Sequence, residues 1–130
     1  MIKGLFDIEF RREDLTRNGD PLVRLKKCVD WELFRSDLEV MREKERKSPA
    51  GRKPYDVVLM FKVLVLQSLY NLSDDAAEYQ IRDRLSFMRF LGLSIGDRVP
   101  DAKTIWLFRE ELRQAGLVKQ LFKRFDHYLR

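Results

Sequence analysis

Scarcity sets the first limits. The chain has one cysteine, Cys28, and one histidine, His127. A lone cysteine excludes an internal disulfide. One residue of each kind falls short of the roughly four side chains that close a structural zinc site. Cys28 reads as an inert buried thiol, since a nucleophilic thiolate wants a basic neighbour that the sequence does not offer. Glycine and proline are also few, six and four in 130 residues, which excludes a low-complexity chain. No apolar run reaches the roughly 20 residues of a membrane span. The opening MIKGLFDIEFRRED is too charged for a signal peptide. The expectation is a cytoplasmic protein with no membrane partner, no cofactor, no metal site and no catalytic residue of its own.

What the chain does have is one long apolar stretch, Val57 to Tyr70, VVLMFKVLVLQSLY, interrupted only by Lys62, Gln67 and Ser68. A helix that is apolar all round belongs in the middle of a bundle. A strand would normally stop by about 8 residues. The stretch therefore predicts a central buried helix over about Tyr55 to Asn71, in a domain of ordinary size that is 45% hydrophobic.

The flanking segments read as helices packed around it. Residues 1–19 form an N-terminal arm without helical period, and residues 20–130 form the helical domain. Asp20 and Pro21 suit the cap and first position of a helix carrying Leu22, Leu25 and Val29. Asp30 is placed to cap a helix from Trp31 to about Lys47, with Leu33, Phe34, Leu38 and Met41 inward. Residues 42–53, REKERKSPAGRK, hold six basic and two acidic groups and read as an exposed basic loop. Ser73 caps a helix to about Arg84, and Ser86 a short one from Phe87 to Leu91. After a loop at 93–99, Asp101 opens a helix to about Gln114 with Ala102, Ile105, Phe108 and Leu112 inward. Leu117 to Leu129 forms the last helix. The fold class is all-α: a helical bundle around a central apolar helix, with a helix-turn-helix-like C-terminal part.

Charge is unevenly spread. Residues 1–81 carry 15 basic and 15 acidic groups, and residues 82–130 carry 11 and 6, so the latter supply the whole net charge of +5. Such an imbalance fits a polyanionic partner. In a helix-turn-helix arrangement the later helix enters the major groove with its N-terminal residues at base edges. Helical geometry puts Lys103, Leu107, Glu110 and Gln114 opposite the Ile105/Leu112 face, with Thr104 and Trp106 on the flanks. Lys103, Thr104 and Leu107 are the candidates for bases. Arg52, Lys53, Arg82, Arg84 and Arg89 are the candidates for phosphates, and Arg98 lies in the same region. Trp106 could support stacking, but as a single large aromatic residue it reads as core.

Three islands carry a family resemblance. They are Gly51-Arg52-Lys53-Pro54-Tyr55, then Tyr70-Asn71-Leu72-Ser73-Asp74, then Val99-Pro100-Asp101 with Thr104-Ile105, Phe108-Arg109 and Leu121-Phe122. In this order and spacing, over roughly residues 15–130, the chain resembles the N-terminal domain of InsH-type transposases of bacterial insertion sequences. The resemblance implies a helical region that binds the double-stranded DNA of the element's terminal inverted repeats. It also implies a following RNase H-like domain whose two aspartates and glutamate hold divalent metal. The expectation is a transposase part truncated before that catalytic domain, without strand-transfer activity. The other readings are a helical module that homodimerises or docks on a full-length transposase to regulate it, and a standalone helix-turn-helix repressor.

Overall fold

In the computed structural model, residues 19–45 and 54–128 are described. The arm at 1–18 and the stretch 46–53, with Arg52 and Lys53, lie outside the described residues. Among those described there are seven α-helices, one 3-10 turn and no strand. The helices are α1 (Pro21–Cys28), α2 (Arg35–Glu45), α3 (Val57–Tyr70), α4 (Asp74–Asp83), α5 (Leu85–Leu91), α6 (Ala102–Gln114) and α7 (Val118–Tyr128), and the 3-10 turn is Trp31–Phe34.

The apolar stretch is the central helix. In α3, Val57, Val58, Met60, Phe61, Val63, Leu64, Val65 and Leu66 are buried. Helix α3 packs against the 3-10 turn, α2, α4, α5 and α6, which is why no face of it needs to be polar. Phe61 is fully buried, a placement worth about 1.5–3 kcal/mol over exposure. It meets Phe34 at 4.8 Å and Phe122 at 5.5 Å between ring centroids. Lys62 is the one charged residue of this helix. Its ammonium lies 5.5 Å from the Trp31 ring and 5.8 Å from the Phe90 ring. Burial lowers its pKa, and the nearby Lys26 adds to the effect. The aromatic faces partly replace the water that the cation gives up.

Helix boundaries follow capping chemistry. The Asp56 carboxylate accepts from the backbone N–H groups of Val58 and Leu59. Burial pushes the Asp56 pKa up, but hydrogen bonds from Arg35 and these amides outweigh it and hold the group below its ordinary value. At the far end Asn71 adopts the left-handed conformation, φ 54°, which asparagine tolerates better than most residues. The Leu72 amide then bonds back to the Gln67 carbonyl at 3.0 Å. Ser73 caps α4 through the Ala76 amide, and the chain leaves α3 at an angle of 103°. Asp20 caps α1 through the Leu22 amide, with Pro21 at its start.

Three boundaries and two burials, those of Leu33 and Cys28, differ from the sequence reading. Trp31–Phe34 is a 3-10 turn rather than the start of an α-helix, and Asp30 makes no side-chain cap bond. Side chains at i and i+3 eclipse in a 3-10 turn, so Trp31 and Phe34 both point into the core, while Leu33 is left 47% exposed. Helix α5 begins at Leu85, and Ser86 is buried rather than capping. Arg84 alone ends α4 and opens α5, since its amide donates to the Gln80 carbonyl and its carbonyl accepts from Met88. Arg42 to Glu45 belong to α2, so the basic loop cannot begin at residue 42. Cys28 is exposed, not buried, because α1 turns Leu22 and Leu25 inward and leaves its last residue outside.

Candidate nucleic-acid interface

Helix α6 is seated by its back and by both ends of its first turn. Ile105, Phe108 and Leu112 are buried. The Asp101 carboxylate accepts from the Thr104 amide at 2.8 Å, and the Glu78 carboxylate of α4 accepts from the Ala102 amide at 2.7 Å. Two of the helix's unsatisfied N–H groups therefore already have anionic partners. The first turn offers an outward side rather than an open anion site. On that side Lys103 is exposed, Leu107 is 44% exposed and Trp106 is 49% exposed. Trp106 is thus a surface residue, against the sequence expectation. The inward stripe is filled by Ile105 and Phe108, and position 106 falls beyond its edge.

Thr104, half-buried, turns toward a cleft of about 780 Å³ together with Leu107 and Phe108. The other walls include Arg42 of α2, Arg82 of α4, Pro54 and Tyr55 before α3, and residues 94–99. Two of the cleft's cations, Arg98 and Arg42, lie against aromatic rings. The Arg98 guanidinium lies 4.0 Å from the centre of the Tyr55 ring. Arg42 donates to the Tyr55 carbonyl and sits 5.9 Å from the Phe108 ring. The loop wall is shaped by Asp97, which accepts from the Ser94 amide.

The candidate phosphate ligands fall into different settings. Arg82 is exposed beside α6, with a 3.7 Å ion pair to Glu78 one turn earlier. Arg84 is exposed but stacked, 4.4 Å from the Phe87 ring and 5.5 Å from Tyr70. Arg89 is used by the fold. It binds Asp20 at 2.5 Å, with only 19% and 5% of the two side chains exposed, and so pins α5 to the start of α1. The structure brings Arg82, Thr104 and Leu107 to one cleft, with Lys103 exposed on the first turn of α6, while Arg89 is tied to Asp20.

Sequence reading did not single out a polar knot at the other end of α3. Arg109 of α6 donates to both carboxylate oxygens of Asp74, at 2.8 and 2.7 Å. Gln67 donates to the same carboxylate at 2.8 Å and to the Leu72 carbonyl, and its own oxygen accepts from Arg109. The Arg109 hydrogen bonds hold the Asp74 pKa below the usual carboxylate value against the effect of burial, and Asp74 raises that of Arg109. Leu64, Val118 and Phe122 line an adjoining cleft of about 590 Å³. The available signal was that Asp74 and Arg109 each stood inside a resemblance island, although 35 residues apart.

Among the described residues no three His, Cys, Asp or Glu side chains are grouped to hold a metal ion. No single described helix is long and apolar enough to cross a membrane. No solved structure matches this chain. Residues 10–111 match the family described as Transposase domain (DUF772), from ahead of α1 into α6, and the chain belongs to that family.

Proposed function

We propose that residues 20–130 form the DNA-binding part of an InsH-type transposase and hold the terminal inverted repeats of its element. In this reading α4, α5 and α6 act as a helix-turn-helix-like unit, with the outward side of α6 in the major groove. The observation that carries it is the seating of α6: buried Ile105, Phe108 and Leu112 fix its back, while Lys103 and Leu107 face solvent in its first turns. Lys103 would reach guanine or phosphate, and Thr104 and Leu107 would meet base edges from the cleft side. Arg82, which shares a cleft with Thr104 and Leu107, and the exposed Arg84 would serve as phosphate ligands, joined by Arg52 and Lys53. Arg89 leaves this set, because a phosphate contact would cost it the Asp20 pair.

The stretch is read as holding DNA rather than cutting it. Among the described residues, five carboxylates are tied up in ion pairs: Asp20 with Arg89, Asp37 with Arg124, Asp56 with Arg35, Asp74 with Arg109 and Glu110 with Arg113. Two-metal chemistry needs several carboxylates converging on ions about 4 Å apart.

The test is a fluorescence-anisotropy titration of the chain against inverted-repeat and random duplexes at several salt concentrations. Tighter binding to the repeat, weakening steeply with salt, is expected, and magnesium or manganese should leave both duplexes uncut. Equal binding to both would remove the groove-reading role of α6. No binding to either at low salt would move the function to an interaction module acting on a full-length transposase.

A further inference from the structure

The contacts assigned above leave Trp106 unused and do not say what apolar feature of a base Leu107 would meet. Trp106 and Leu107 are adjacent and stand 49% and 44% exposed, one turn after Lys103. The other large exposed apolar residues among those described, Leu33, Val40, Leu69, Tyr79 and Ile95, lie on separate elements. In a helix seated by Ile105, Phe108 and Leu112, the outward stripe is Lys103, Trp106, Leu107, Glu110 and Gln114. Its only acidic member is Glu110. Arg113 binds that carboxylate at 2.7 Å and holds its pKa below the ordinary value. The stripe therefore presents one exposed cation, two large apolar side chains, a carboxylate paired with arginine, and Gln114.

That order matches a duplex groove better than it matches an apolar protein surface, because the apolar centre lies between a lysine and an arginine-neutralised turn. The major groove has one apolar feature of suitable size, the C5-methyl group of thymine. We propose that Trp106 and Leu107 are specificity-determining residues that pack on thymine methyl groups, so that the site facing the middle of α6 requires thymine. This deepens the DNA-binding reading and rests on it.

The experiment uses the full chain and a duplex enriched from a randomised pool by repeated binding to the wild-type protein. Each thymine of that duplex is replaced singly by deoxyuridine, which removes only the methyl group. At one or two neighbouring positions the wild-type affinity should fall about fourfold, the effect of one buried methyl-sized group. For Trp106→Ala or Leu107→Ala, checked for unchanged helicity by circular dichroism, the same replacement should change affinity by less than about 1.5-fold, as expected once the packing partner is gone. If the wild-type protein ignores every deoxyuridine, this inference is overturned while DNA binding stands. If both variants keep the full uracil penalty, the assignment to Trp106 and Leu107 is overturned. If no duplex is enriched or bound at low salt, this inference and the DNA-binding reading are both overturned.

Discussion

Arg109 and Lys103 stand less than two turns apart on α6, yet their charges have opposite fates. Arg109 is bonded to both oxygens of Asp74 and to Gln67, so its cation belongs to the joint between α3, α4 and α6. Lys103 is exposed on the outward side of the same helix. The difference shows that a count of basic residues overstates what a partner can use. Of the 11 basic groups in residues 82–130, Arg89, Arg109, Arg113 and Arg124 each hold a carboxylate within 2.5–2.8 Å. The surplus that a phosphate backbone would meet is smaller and more localised than the sequence suggests.

The largest expected effect lies in what supports both residues. Val63 is fully buried in α3. Val63→Asp should place an unpaired charge in the core at a cost on the order of 5 kcal/mol, comparable with the whole stability of a small domain. Loss of helical circular dichroism at room temperature checks this. A folded Val63→Asp protein would mean that α3 is not the centre on which α6 depends.

Next comes Lys103→Ala. It should reduce the preference for inverted-repeat over random DNA by about 1–3 kcal/mol if the lysine bonds a base, with no change in melting temperature. Arg109→Ala should do the reverse, lowering stability by about 1–2 kcal/mol, between the values for exposed and buried ion pairs, and leaving sequence preference intact in whatever fraction is folded. A thermal melt and a binding titration on both variants would separate the two residues, and a swapped pattern would break the comparison.

Acid sharpens it further. Asp74 is held below its ordinary pKa when folded, so the folded state favours the ionised carboxylate. The stability from this pair is present above the unfolded value of about 3.9 and is lost as pH falls through the lower folded value. Denaturant midpoints measured between pH 6 and pH 3 should fall less steeply in Asp74→Asn than in the wild type. The smallest effect is Arg82→Ala. Its exposed pair with Glu78 at 3.7 Å contributes little to stability. The variant should bind all duplexes slightly less well, with a salt slope shallower by about 0.9.

The sequence made the scaffold legible where physics is local. The all-round apolar pattern of Val57–Tyr70 required a central helix, and Asp20, Ser73 and Asp101 cap the helices they precede. Local rules failed where tertiary packing decided the outcome. Trp31 and Phe34 both reach the core through a 3-10 turn that no cap signal announces. Trp106 was placed inside on residue type, yet the stripe of Ile105 and Phe108 had already filled the core side. Within the candidate site, the helix and its exposed Lys103 and Leu107 were readable from period alone. The loss of Arg89 to Asp20 was not, because a pair 69 residues apart leaves no trace in spacing. The same holds for Arg109 and Asp74, although both stood in the islands that carry the resemblance. Those islands are largely caps and ties: Asn71 ends α3, Ser73 and Asp101 start helices, and Tyr55 lies under Arg98.

Two exposed apolar positions, Trp106 at 49% and Val40 at 51%, offer the most direct test of whether the outward side of α6 meets DNA. A photoreactive benzoylphenylalanine placed at either position, in otherwise unchanged protein, should fold alike and differ only in what it faces. On irradiation with inverted-repeat duplex, covalent protein–DNA adduct is expected from position 106 and not from position 40, and excess unlabelled repeat should suppress it. Adduct from position 40 with none from position 106 would contradict the account and place the DNA on α2.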